Sequence, residues 1–410
     1  MYADDIVLLA DSEHDLQSML DVFHLWSGKN AMQLSVNKTK VVHFRPKSIG
    51  RTEFQFKIGN AHIDVIEKYV YLGLTLNEFL DYNVTARCVS QSAGRALGLL
   101  IAKSKSLGSM PYKVYSKLYD TMVWPVIAYG AAVWGDKTFT CIEAVQNKAM
   151  RFFLGTGRYT PNAAVIGEMG WLPPIVKQWK CVCLHWARLH NMCSSRINKQ
   201  TFQYCFTKGS RKCKNWCYRI VNTFNSIGMN VYNDSSVPIN KADIVTNVQA
   251  ILFDKFLCTW KSSIASDVGV SGRGGNKLRK YRLLKTDFIT ENYCKIILPR
   301  FHRSSFAKFR CGVAPLRVET GRYEGMHLDH RVCPFCKDCA EDEFHVLFHC
   351  PLYVDIREDL FNKACEVHVP FNSSSLNDMF VFLFTDQRIL RQSAKACFLL
   401  LRRRSFFLEQ

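Results

Sequence analysis

Several things are scarce in this sequence, and each scarcity excludes something. Across 410 residues no uncharged apolar run reaches the roughly 18 positions that a membrane-spanning helix needs. The nearest, Thr121 to Gly135, is too short and contains Pro125. The first residues, Met1-Tyr2-Ala3-Asp4-Asp5, lack the basic-then-apolar start of a signal peptide, so an intracellular protein of nucleus or cytoplasm is expected. The 17 cysteines are an odd number, scattered singly, which suits a reducing compartment better than a disulfide framework. No internal repeat is visible. Carboxylates are few: 35 Asp plus Glu stand against 54 Lys plus Arg, a net charge of +19. Between Glu168 and Asp234 there are none at all over 65 residues. A balance of this kind favours a polyanionic partner, most often nucleic acid.

Apolar residues are not scarce. At 48% they support real cores, and the length suggests two to four domains. Ile6 to Ala10 is an apolar run that reads as a strand. Ser12 with Asp15 three positions later marks a helix start, Leu16, Met19, Leu20 and Phe23 share one helical face, and Gly28 ends it. Val36 to Phe44 alternates loosely, as a strand does. Gly59-Asn60 between Phe54–Ile58 and Ala61–Ile63 is a hairpin signal, and Tyr69 to Leu76 is a further strand. From Asp81 the pattern turns helical, with long segments near 83–107, 111–133 and 139–154. Ser266 to Lys280 is rich in Gly and Ser and reads as a loop. The expectation is α+β first, then an all-helical block.

Two adjacent carboxylates at a strand turn, Asp4 and Asp5, can hold a divalent metal through oxygen. Adjacent strand residues point to opposite faces, so two-metal phosphoryl transfer would need a further carboxylate from a neighbouring strand. As bare residues the pair is equally a hairpin turn. The order of the segments downstream adds to it. Tyr2-Ala3-Asp4-Asp5-Ile6 resembles the catalytic hairpin of reverse transcriptase palms. Ala31-Met32-Gln33-Leu34-Ser35-Val36-Asn37-Lys38-Thr39-Lys40 looks like the next palm motif, and Lys68-Tyr69-Val70-Tyr71-Leu72-Gly73 is similar to the primer-grip hairpin. Trp124-Pro125, Tyr129-Gly130-Ala131-Ala132-Val133-Trp134, Gln146-Asn147-Lys148-Ala149-Met150-Arg151 and Gly170-Trp171-Leu172-Pro173 resemble the thumb of non-LTR (LINE-type) retrotransposon polymerases. The resemblance covers about residues 1–190 and again the Cys/His region.

This resemblance implies an RNA-directed DNA polymerase that extends a DNA primer on an RNA template with Mg²⁺. It makes Asp4 and Asp5 the magnesium carboxylates and Lys38 the lysine facing the incoming triphosphate. Ser35 stands where Asn is more usual. Tyr71, Leu72 and Gly73 would form the turn against the primer backbone. In the family, fingers and the first palm strands precede this point and supply another metal-binding Asp. The isolated chain is therefore expected to be inactive, with a non-catalytic nucleic-acid-binding zinc protein or a decayed transposon remnant as the other reading. No endonuclease or RNase H constellation is visible.

Cys333-x2-Cys336-x8-His345-x4-Cys350 has metal-ligand spacing. Three thiolates and an imidazole favour a closed, structural Zn²⁺ site. Its flanks resemble the C-terminal zinc knuckle of the same retrotransposon proteins. His349 lies four residues after His345 and is the alternative to Cys350. Cys339 makes a second Cys-x2-Cys with Cys336.

The carboxylate-free stretch carries Lys177, Lys180, Arg188, Arg196, Lys199, Lys208, Arg211, Lys212, Lys214 and Arg219, with aromatics between them. Such a pattern suits phosphate contacts plus base stacking, although Trp179, Cys183 and Trp186 at helical spacing read as core. Lys208, Arg211, Lys212 and Lys214 are the expected nucleic-acid contacts, with Arg279 and Lys280 from a second basic block that includes Arg273, Gly274 and Gly275. The partition expected is a partial palm over 1–78, a helical thumb over 79–195, a basic helical and linker region over 196–325, and a zinc-knuckle domain over 326–410.

Overall fold

The computed structural model describes residues 4–211, 213–233, 237–267 and 276–409. It comprises two units, Met1–Val89 and Ser90–Gln410, and the division falls inside the helix Tyr82–Ser106.

In the first unit the helix Glu13–Lys29 begins where Ser12 caps it, its hydroxyl accepting the Asp15 N–H at 3.1 Å. Leu16 and Leu20 turn toward Val41, Phe56, Ile58 and Ile63 and form a small core. The hairpin over Gly59-Asn60 is present, Lys57–Ile58 pairing with Ala61–His62. The predicted strand from Tyr69 folds back on itself: Lys68–Tyr71 pairs with Leu74–Asn77. Leu72 and Gly73 both take positive φ (46° and 78°) at the turn, the backbone that lets a two-residue hairpin follow the strand twist.

Two expected strands do not form. Val36–Phe44 contributes a single bridge, Val41 to Val65, because Ser35 to Thr39 closes a turn in which the Lys38 and Thr39 N–H groups bond back to the Ser35 carbonyl. Residues 6–10 join no ladder. Among the described residues the unit therefore holds two separate two-stranded hairpins. Among the described residues the chain is mainly helical with few strands, and the strands expected at 6–10 and Val36–Phe44 are corrected to this.

The second unit is helical. The segment 111–133, predicted as one helix, is interrupted twice. A π-turn, Tyr119–Val123, precedes Trp124-Pro125, where proline can supply no N–H. Gly130 then takes the left-handed conformation before Ala131–Trp134. Behind these breaks the motif residues converge. The Trp134 indole donates to the Tyr129 carbonyl at 3.1 Å, and Trp171 donates to the hydroxyls of Tyr112 and Ser116, both at 3.2 Å. Gln146 on the helix Thr140–Leu154 donates to the Leu172 carbonyl at 3.0 Å. Gly170 ends the helix Asn162–Met169 with φ +61°. A Cβ there would lie 2.5 Å from the Thr290 backbone nitrogen, so no other residue fits.

The helix Pro174–His190 carries Val182, Cys183 and Trp186 into a core with Phe202, Cys217, Ile220, Phe224, Ile244 and Val248. The interleaved tryptophans and phenylalanines of the carboxylate-free stretch are thus packing residues: Trp179, Trp186, Phe202 and Phe224 are all buried. Among the described residues no helix is long and apolar enough to cross a membrane.

One charged cluster ties remote segments together. Arg310, on the helix Arg300–Arg310, is fully buried. Its guanidinium donates to Glu168 at 2.7 and 3.0 Å and to the Phe384 carbonyl at 2.7 Å, and it pairs with Glu291 at 2.8 Å. Lys285 completes Glu291 at 2.5 Å. Removing one member of such a cluster strands the others without water. Arg310→Met is expected to cost about 3–5 kcal/mol. Chemical denaturation of the second unit, followed by tryptophan fluorescence, would show it as a lower midpoint; an unchanged midpoint would contradict this role for Arg310.

Candidate metal centre

The Cys/His motif folds as a short knuckle followed by a turn of helix. Val332 bridges Ala340, the Cys333 N–H donates to the Cys339 carbonyl at 2.8 Å, and the Glu341 N–H donates to the Arg331 carbonyl at 3.0 Å. Lys337 takes φ 59° to close the knuckle, its N–H reaching the Cys333 carbonyl at 3.1 Å. Asp342 then caps the π-turn His345–His349, accepting the His345 N–H at 2.8 Å. The Cys350 N–H bonds back to the His345 carbonyl at 2.8 Å.

The ligand atoms of Cys333, Cys336, His345 and Cys350 all lie within 4.8 Å of one another. Cys333 Sγ is 3.9 Å from Cys350 Sγ, and Cys336 Sγ is 3.4 Å from His345 Nε2. A tetrahedral Zn²⁺ with bonds of about 2.3 Å to sulfur and 2.0 Å to nitrogen needs donor separations of roughly 3.5–3.8 Å. The cluster can therefore hold zinc. His349, the alternative fourth ligand, is exposed and outside the cluster, whereas Cys350 is buried within it.

Burial pushes the Cys350 thiol up to about 12 and raises that of Cys333; it also lowers His345, which favours the neutral ring that ligates. Burying thiolates without a cation is unfavourable, and a divalent ion among them reverses that cost.

The acidic run Glu341-Asp342-Glu343 anchors the knuckle. The buried Glu341 carboxylate receives Arg404 through two hydrogen bonds of 2.7 Å and the Arg317 N–H at 2.6 Å. Glu343 receives Arg279 at 2.7 and 3.1 Å. The Lys280 ammonium sits 3.1 Å from the centre of the Phe344 ring and 3.8 Å from Asp342. Arg357 donates to the Phe348 and Cys350 carbonyls. Arg279 and Lys280, read from sequence as nucleic-acid contacts, are thus turned toward the knuckle, with side chains only 13% and 17% exposed. Sequence reading missed these pairings because their partners lie about 60 residues away. The acidic triplet beside the motif was the available signal.

The remaining site residues are dispersed. Asp4, Asp5 and Lys38 are exposed, and among the described residues no third carboxylate joins the aspartates into a metal-holding group. Tyr71 and Leu72 are half-buried and Gly73 is exposed at the hairpin turn. Lys208, Arg211 and Lys214 are exposed, as are Lys180, Arg188 and Arg196; Lys199 is buried, donating to the His190 carbonyl, and Arg219 pairs with Asp136 at 2.6 Å. Tyr2, Ala3, Lys212, Arg273, Gly274 and Gly275 lie outside the described residues.

If the four donors form one closed site, purified protein should carry about one zinc per chain by elemental analysis. Cys336→Ser should lower that content and raise backbone hydrogen exchange across roughly residues 330–355. A metal-free wild type with full exchange protection there would refute the assignment.

Comparison with known proteins places the chain only coarsely. No known family profile matches it, and no solved structure does. It is similar to an uncharacterized transposon-derived protein of Caenorhabditis elegans, 24% identical over 133 residues, which are 32% of this chain and 47% of that protein. The chain thus matches about half the length of that relative, and the similarity supports a transposon-related origin.

Proposed function

We propose that this chain is the C-terminal part of a non-LTR retrotransposon reverse transcriptase, a nucleic-acid-binding segment whose knuckle is folded around zinc. The observation that carries the proposal is the similarity to a transposon-derived protein. The ordered motifs from Tyr2 to Pro173 and the Cys-Cys-His-Cys cluster add to it. The partners on this reading are an RNA template and a DNA primer or target. Phosphates are met by exposed cations: Lys180 and Arg188 on one face of the helix Pro174–His190, then Arg196, Lys208, Arg211 and Lys214. Trp179 and Trp186, which lie on that helix, are in the core and are not available for base stacking.

Binding by such a surface releases counterions and weakens steeply with salt. Replacing Lys208, Arg211, Lys212 and Lys214 together by Gln is expected to weaken RNA binding and flatten the slope of log K against log salt by up to about four contacts. Fluorescence anisotropy with a labelled single strand reads both quantities. An unchanged slope removes this segment from the interface.

The remnant reading, binding without polymerisation, is favoured by the exposed Asp4 and Asp5. Two carboxylates alone neutralise a pair of divalent ions poorly, and phosphoryl transfer depends on those ions for charge stabilisation and positioning. The 410-residue chain is expected to give no primer extension with Mg²⁺, deoxynucleotides and an annealed RNA template. Extension that disappears on Asp4→Ala would establish a competent site in this chain.

A further inference from the structure

The His345 imidazole is flanked by sulfur on both sides. Nε2 lies 3.4 Å from Cys336 Sγ, on the side of the four-donor cluster, and Nδ1 lies 3.0 Å from Cys339 Sγ. Cys339 is exposed and stands outside the set of mutually close ligand atoms. An imidazole that gives one nitrogen to a metal carries its hydrogen on the other, and that N–H requires an acceptor to hold the ring in plane with the ion. The usual acceptors are a carboxylate, a carbonyl or water. Among the described residues no carboxylate bonds to Nδ1: Glu343, the nearest acid in sequence, is taken by Arg279, and Asp342 uses Oδ1 to accept the His345 backbone N–H.

The backbone fixes Cys339 where it is. Its carbonyl accepts the Cys333 N–H at 2.8 Å, so one residue joins the first ligand's main chain to the histidine's side chain. Lys337 in its left-handed conformation turns the chain between Cys336 and Cys339, so that the two sulfurs approach opposite nitrogens of one ring. The alternative use of Cys339, as a ligand in place of Cys333 or Cys350, conflicts with the burial of those two thiols against each other at 3.9 Å.

We infer that Cys339 is a positioning residue of the metal centre: its sulfur accepts the His345 Nδ1–H, fixes the tautomer with Nε2 toward the ion, and does not itself ligate. This rests on the zinc reading of the cluster. The metal content of the wild-type full-length chain therefore comes first. A wild type that binds no zinc defeats that reading and this one together; a zinc-binding wild type lets the role of Cys339 fail alone.

Three measurements on the full-length protein test the role. Alkylation by iodoacetamide with peptide mapping should modify Cys339 readily in the zinc-loaded protein, while Cys333, Cys336 and Cys350 are protected until a chelator is added. Competition with a chromophoric chelator should show Cys339→Ala weakening zinc about 10- to 100-fold. Cys339→Asp, which restores an acceptor, should recover most of the loss. The visible spectrum of the Co²⁺-substituted protein should keep its three-sulfur, one-nitrogen ligand field in Cys339→Ala, which a misfolded site would not.

Protection of Cys339 by zinc, or loss of a thiolate charge-transfer band in Cys339→Ala, would make it a ligand and overturn the inference. Unchanged zinc affinity in Cys339→Ala would overturn it as well. Equal weakening in Cys339→Ala and Cys339→Asp would do the same, because it would show that an acceptor at that place contributes nothing.

Discussion

The helical unit depends most on a charge that it hides. Arg310 has no exposure, and its guanidinium is shared among Glu168, Glu291 and the Phe384 carbonyl. These partners come from the end of the helix Asn162–Met169, from the loop near 290 and from the end of the helix Leu376–Thr385. Apolar contacts between the same helices tolerate some sliding, but a planar fork held by four contacts to three partners does not. Such a cluster contributes registration more than net stability. It also explains a local oddity: Glu168 is the last carboxylate before a long run without any, and it faces inward. Next to it, Gly170 passes so close to Thr290 that the two segments are locked side by side.

The knuckle is joined to the same unit by similar means. Glu341 and Glu343 each take an arginine from a distant helix or loop, and Arg357 closes over the carbonyls on either side of Cys350. A metal held by the knuckle would therefore be coupled to helix packing. The fold of the knuckle places three carboxylates against Arg279, Lys280 and Arg404, and an ion that orders the knuckle would tighten those pairings. The 54 Lys and Arg thus overstate the cations free to meet a partner, since Arg279, Lys280 and Arg404 face the knuckle's own acids.

How much of this was legible in the sequence depends on the range of the interactions involved. Ser12 and Asp15 announced a helix and Gly59-Asn60 a hairpin, because caps and tight turns are set by neighbours. Cys333, Cys336 and His345 were legible as candidate donors from spacing, which left Cys350 and His349 open as the fourth; of these, Cys350 is the one gathered and buried with the others. The Val36–Phe44 strand failed because alternation over a few residues competes with turn-forming Ser35 and Asn37. The fold of Tyr69–Leu76 into a hairpin rather than one strand turned on Leu72, a residue type that seldom takes positive φ. The roles of Arg279 and Lys280 were illegible because an ion pair across some 60 residues leaves no periodic trace. The aromatic residues between the lysines were ambiguous between stacking and core until Trp186 was seen against Phe202, Trp216 and Phe224.

The hydrogen bonds between Arg404 and Glu341 have a genetic corollary. Arg404 belongs to the last helix, Leu390–Leu408, while Glu341 lies inside the metal motif 63 positions earlier. A stop codon or frameshift just upstream of Arg404 would leave all four metal donors in the reading frame and still strand a buried carboxylate among them. In sequences that decay by truncation and drift, an intact Cys-Cys-His-Cys signature is therefore a poor sign of an intact knuckle. The tail beyond it is the better one.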